Sequence, residues 1–176
     1  WGAARHRTAV RRYGDRAMSS NPLTPAEVVD YAERSSLASV SMDGSRFVLR
    51  AVLGGAFLAL GGLLSTVVAG GATGIADSDP GLQKLIAGGV FPMGLIAVVL
   101  TGAELFTSST ATFTVSLYRR SVGWAALRSL SVSFVGNFVG ALLAALVLGV
   151  ATGIYVAGAD ATEYLHQLAA DKLDRT

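Results

Sequence analysis

Residues 102–113 read GAELFTSSTATF and close an apolar run that begins at Leu82. A membrane helix at this point should carry on or leave the bilayer. The chain instead places a carboxylate, Glu104, and then a cluster of hydroxyls: Thr107, Ser108, Ser109, Thr110, Thr112 and, just beyond, Thr114. Irregular backbone at membrane depth is tolerated only where protein buries it or where it lines a watery cavity. The stretch therefore reads as a helix break lining a substrate path.

Length supports the same reading. The segment Leu82–Arg119 is too long for one crossing, which takes about 20 residues, and too short for two crossings with a loop. A helix over 82–106, a re-entrant break and a half-helix over 109–119 would use it. Pro92 removes a helix hydrogen bond in mid-span, and Gly88, Gly89, Gly94 and Gly102 loosen the same helix. The start of the half-helix, near Thr107–Thr110, would present free N–H groups and a positive dipole end, which favour an anion. Glu104 carries two readings. An acid within a span is a candidate functional group. The simpler role is structural, with the carboxylate accepting hydrogen bonds from loop N–H groups and hydroxyls and pinning the break.

The rest of the chain fits a membrane protein. It has 176 residues, of which 52% are hydrophobic and 15% charged, against roughly a quarter charged in soluble domains. Without cysteine it has no disulfide or thiolate metal site. Helices are expected over about 47–70, 82–106 and 124–157, within a membrane domain spanning 47–159. Arg50, near the start of the first, can snorkel to the headgroups. Residues 1–22 form a basic extension expected to be disordered. Residues 23–46 read as an amphipathic cytoplasmic helix, with Thr24, Pro25 and Glu27 forming a capping box. Arginines crowd the N-terminal region and the 119–128 connection, whereas Asp77 and Asp79 lie in a connection without bases. This places the N-terminus in the cytoplasm and residues 160–176 outside, in a plasma (inner) membrane. Small residues spaced by four, Gly55 and Ala59 in the first helix and Gly136, Gly140 and Ala144 in the third, allow close helix packing.

GAELFTSS at 102–109, preceded by GGVFPMGLIAVVL at 88–100 and supported by GGAFLALGG at 54–62 and GNFVGALL at 136–143, resembles the formate/nitrite transporter family. The resemblance covers about residues 20–176. It implies an all-α membrane fold in which three helices, the second broken, form one inverted repeat of an aquaporin-like six-helix protomer. It further implies a homopentamer with a pore in each protomer, passing small monovalent anions such as formate or nitrite, often with a proton. By the same resemblance Leu105, Phe106, Thr107 and Ser108 form the break loop, Phe91 and Leu95 contribute apolar constrictions, and Lys172, in YLHQLAADKLDRT, draws anions into the outer vestibule. A hydrophobic constriction suits an anion that is neutralised as it crosses, because a bare charge there is costly.

The resemblance also implies a fourth helix starting where the chain stops, at Thr176, and a pore histidine in a fifth helix. His6 and His166 lie outside the spans. The expectation is the N-terminal half of a transporter; the alternative is a non-transporting three-helix subunit or a degenerate half-gene. An aquaporin-type water channel should carry Asn-Pro-Ala, and the sole Asn-Pro is Asn21-Pro22. No Ser/His/Asp arrangement, metal-ligand cluster or phosphate loop points to an enzyme or a cofactor. The arginine-rich start is read as leaflet charge, not as a nucleic-acid site.

Overall fold

The computed structural model describes residues 23–156 and 158–174; the extension expected to be disordered, 1–22, lies outside them. All regular structure among the described residues is helical. Its elements are α1 (Pro25–Ser41), α2 (Gly44–Gly71), α3 (Thr73–Ser78), α4 (Pro80–Val90), α5 (Pro92–Thr101), α6 (Phe106–Tyr118), α7 (Trp124–Ala151) and α8 (Asp160–Leu173). The chain divides into two compact units, up to Tyr31 and from Ala32. In the first, Thr24 and Glu27 form the capping box: Glu27 N–H donates to Thr24 Oγ1 at 3.4 Å, and Thr24 N–H to Glu27 Oε2 at 3.0 Å.

Three helical stretches in the second unit are long and apolar enough to cross a membrane: α2, α4 with α5, and α7. At 28 residues, α2 and α7 each reach about 42 Å, beyond the roughly 30 Å of a hydrocarbon core. Asp43 caps α2, accepting from the Ser45 hydroxyl and from the backbone N–H groups of Ser45 and Arg46. The Ser45 hydroxyl above all, then the Arg46 N–H, holds its carboxyl below the usual carboxylate range. Asp79 caps α4 through Leu82 N–H at 3.0 Å, with Pro80 in the first turn.

The second span departs from the expected boundaries in a physically legible way. Pro92 makes a joint, not a gap: Phe91 stays helical at φ −49°, ψ −41°, and Gly94 N–H turns to the Phe91 carbonyl at 3.2 Å. The helix expected to reach 106 stops at Thr101. Gly102 takes φ 65°, a conformation open to glycine. Its N–H bonds to the Val99 carbonyl and that of Ala103 to Val98, the hydrogen-bond pair of a Schellman termination. Helix resumes at Phe106, three residues before the expected 109. Likewise α7 ends at Ala151, short of 157. Gly153 turns the chain at φ 68°, and Tyr155 folds back, its N–H on the Gly149 carbonyl and its hydroxyl 2.9 Å from Thr66 Oγ1.

Packing centres on α2, which touches α4, α5, α7 and α8. Helix α7 runs beside it in the same direction, pairing Gly136 with Ala51 and Gly140 with Val52, while α4–α5 runs antiparallel, pairing Gly94 with Gly61. Glycine is required at these crossings: a methyl at Gly140 would overlap the Val52 carbonyl oxygen, and one at Gly55 the Asn137 carbonyl oxygen. Hydrogen bonds add to the contact, with Ser65 Oγ on the Ala87 carbonyl and Gln83 Nε2 on that of Ala69, both at 2.8 Å. Helix α8 seats its first residues on Gly70, at the end of α2 remote from the break.

Gly140→Ala should lower the detergent-solubilised melting temperature, with overpacking costing about 1–3 kcal/mol. Gly62→Ala, whose added methyl meets nothing within 4 Å, should be neutral or stabilise by about 0.5–1 kcal/mol. Equal effects of the two would refute the crossing described here.

Candidate functional site: the broken second span

Between Thr101 and Phe106 the backbone leaves the helix, and several of its polar groups find partners on α2 and α7. Glu104 N–H donates to the Arg50 carbonyl of α2 at 3.0 Å. The Glu104 carbonyl accepts from Asn137 Nδ2 at 2.9 Å. The Phe106 N–H, first of the new helix, donates to Asn137 Oδ1 at 2.8 Å. The same Nδ2 also donates to the Ala51 carbonyl at 2.6 Å. One carboxamide from α7 thus holds the α6 end of the break and the wall behind it. Close approach is possible because Gly54 has no side chain; a methyl there would overlap the Glu104 carbonyl oxygen.

Glu104 is part-exposed, and its carboxylate accepts from Ser109 Oγ at 2.7 Å and from Ser39 Oγ at 3.2 Å. Both contacts support the structural reading of the acid. Its charge also lies beside the start of α6, where the helix dipole favours an anion. Ser109 is buried and bonds back to the Leu105 carbonyl at 2.9 Å as well.

Of the residues expected in the break, Leu105 is the extended residue before α6 and is 6% exposed. Phe106 is part-exposed and packs edge-to-face on Phe134 of α7, ring centroids 5.3 Å apart. Thr107 and Ser108 occupy the exposed first turn of α6. Ser108 Oγ donates to the Leu105 carbonyl at 2.9 Å, while the backbone N–H groups of Thr107 and Ser108 take no acceptor among the described residues. Phe91 and Leu95 lie at and just beyond the Pro92 joint, 41% and 46% exposed, four residues apart and so on one helical face. Lys172 is exposed in the last turn of α8. The structure therefore gathers Glu104, Leu105, Phe106 and Ser109, keeps Phe91 and Leu95 earlier on the same span, and carries Lys172 in the last turn of α8, away from the first residues that seat on Gly70.

Sequence reading missed two contributors. Asn137 sits in the quoted block GNFVGALL; a lone carboxamide in an otherwise apolar span is the signal that marks it. Arg50, expected to snorkel outward, instead lays its guanidinium against Gly102 of the break, with Nε buried. Among the described residues no group of His, Asp or Glu could hold a metal ion.

All-helical structure among the described residues, with three potential spans of which one is interrupted by a clamped polar break, fits a membrane protein. The sequence model of the formate/nitrite transporter family matches residues 26–176, and the chain belongs to that family. It is similar to the formate channel FocA of Haemophilus influenzae, 37% identical over 131 residues covering 74% of this chain and 45% of that protein. It is 36% identical to a probable formate transporter of Methanothermobacter thermautotrophicus over 141 residues, 80% of this chain and 51% of that protein. A formate-nitrite transporter of Toxoplasma gondii is 31% identical over 163 residues, 89% of this chain and 31% of that protein. The chain spans about half the length, or less, of these curated relatives.

Asn137→Ala should leave the Phe106 N–H and the Glu104 carbonyl unpaired, at about 1–3 kcal/mol each. Hydrogen exchange over residues 102–109 should then accelerate by at least about tenfold. Glu104→Gln retains an oxygen for Ser109 and Ser39 and should disturb the same amides less than Glu104→Ala. Unchanged exchange in Asn137→Ala would show that the break is held by something else.

Proposed function

We propose that the protein transports small monovalent anions, formate, nitrite or anions of that size, across a membrane, as the N-terminal half of a formate/nitrite-type pore. The single observation that carries this reading is the break at 102–105, clamped by Asn137 and opening onto the exposed start of α6. It supplies polar backbone at membrane depth, which a lipid-facing helix would not tolerate. The names of the relatives favour transport over a non-transporting subunit.

In this reading residues 47–159 are the membrane domain, 23–46 a cytoplasmic helix and 160–176 an external segment. The three spans form one inverted repeat of an aquaporin-like protomer, and protomers assemble as a homopentamer in the plasma membrane with the N-terminus in the cytoplasm. Phe91, Leu95, Leu105 and Phe106 form apolar constrictions, and Thr107 and Ser108 line the loop. Lys172 attracts anions at the outer mouth. Glu104 supports the loop and does not meet the permeating ion. A bare anion pays a heavy desolvation penalty at an apolar constriction, so the reading includes passage with a proton.

Full-length protein reconstituted in liposomes should move formate or nitrite well above empty-vesicle leak; leak-level flux of both would defeat the reading. Phe106→Ala, by widening the constriction, should raise acetate or lactate flux relative to formate severalfold, measured in the same vesicles.

A further inference from the structure

Arg50 is the one ionisable residue that α2 carries beyond its first turn. A charge inside a span is expensive and calls for a partner. No described carboxylate forms an ion pair with it. Its Nη1 reaches only the thioether sulfur of Met42, at 3.7 Å, a weak acceptor. Its Nε is shielded and has no acceptor. Its Nη2 lies 3.2 Å from the position a Cβ on Gly102 would take, so the guanidinium rests on the left-handed glycine that opens the break. The nearby acid, Glu104, is bonded through its backbone N–H to Arg50's own carbonyl, yet turns its carboxylate to Ser39 and Ser109. The residue is part-exposed. Most of its five N–H donors remain unused by protein.

We propose that Arg50 is a docking site for the permeating anion at the mouth of the break, on the face that carries Arg119, Arg120 and Arg128. Two parallel N–H groups, one from each terminal nitrogen, match the two oxygens of a carboxylate or of nitrite, a fit that the point charge of lysine does not reproduce. Packing against Gly102 fixes the fork beside the loop where the anion must shed water. The site presents charge before the apolar constriction, whereas Phe106 and Leu105 follow it. This inference rests on the anion-transport reading and names a residue of that pathway.

The test is the concentration dependence of formate flux into liposomes holding the full-length protein, with formate-dependent thermal shift as a readout that needs no flux. Arg50→Gln should raise the half-saturating formate concentration by about tenfold or more, as loss of charge-assisted hydrogen bonds predicts. It should also abolish the formate-induced shift while changing the maximal rate much less. Arg50→Lys should recover part of the affinity. A wild-type concentration dependence in Arg50→Gln would overturn the proposal and leave Arg50 as a brace for Gly102. If Arg50→Gln does not fold, Arg50→Lys decides: a half-saturating concentration and shift equal to wild type would overturn docking by the fork. Should the wild type move no formate, the transport reading fails; a formate shift lost in Arg50→Gln would then still support the site, and no wild-type shift would overturn it.

Discussion

The carboxamide of Asn137 is the interaction on which the broken span depends. A helix that stops inside a bilayer exposes backbone donors and acceptors to a solvent that can satisfy none of them. Asn137 offers an acceptor and two donors from one planar group, and uses them on Phe106 N–H, the Glu104 carbonyl and the Ala51 carbonyl. Its reach depends on the glycines around it. Without side chains at Gly54 and Gly55, the break and α7 both close onto α2 to backbone contact. A larger residue at either would hold the amide away from its partners. The small-residue crossings and the polar clamp are therefore one device, the first setting the distance over which the second works.

The one carboxylate at the break is hydrogen-bonded through Oε1. The Glu104 side chain is held by two hydroxyls from different helices, and its position before α6 aligns it with the helix dipole. Arg50 lies on the other side of the same turn, against Gly102. In the proposed pathway an anion nearing the loop would meet a guanidinium and the uncapped N–H groups of Thr107 and Ser108, with Glu104 Oε1 already taken by the two hydroxyls. The two hydroxyl contacts support the proposal that Glu104 belongs to the frame of the break.

How much was legible in the sequence follows from the range of each interaction. The spans were legible because crossing a bilayer demands apolar length, a property of consecutive residues. The break was legible because a glycine followed at once by a carboxylate interrupts an apolar run; the six hydroxyls that follow proved to belong to α6, where most bond back to carbonyls three or four residues earlier. Its boundaries were less so. Helix α5 ends four residues before Leu105 because Gly102 adopts a left-handed turn, and nothing in its letter alone separates it from Gly88 or Gly94, which stay helical. Asn137 lay out of reach for another reason: its partners, Ala51 and Glu104, are 86 and 33 residues away. Arg50 misled because snorkelling and inward packing begin from the same position on a helix, and only the neighbouring break selects between them.

The break is also tied to the surface helix. On α1, Glu33, Ser36 and Ser39 recur every three residues and so share a face. Glu33 pairs with Arg119 at 2.5 Å and accepts from the Ser121 hydroxyl, beyond the end of α6. Ser36 meets Ser116 in the last turn of α6, both side chains fully buried. Ser39 reaches the Glu104 carboxylate before α6 begins. Val40 adds an apolar contact to the cluster of Phe113, Val122 and Ala126. This face of α1 therefore spans α6 from one end to the other, touching the acid of the break at one end and the arginine connection at the other. The ion pair at the Arg119 end is part-exposed and so open to screening by salt, whereas the Ser36–Ser116 contact in the middle of the seam is buried. The backbone clamp on the break comes from α2 and α7; α1 adds side-chain contacts, of which the ion pair is the one that salt can weaken. Because Ser39 and Ser109 share Glu104 Oε1, any displacement of α1 along α6 changes the hydrogen bonding of the carboxylate that steadies the loop, without needing to move a membrane-spanning helix.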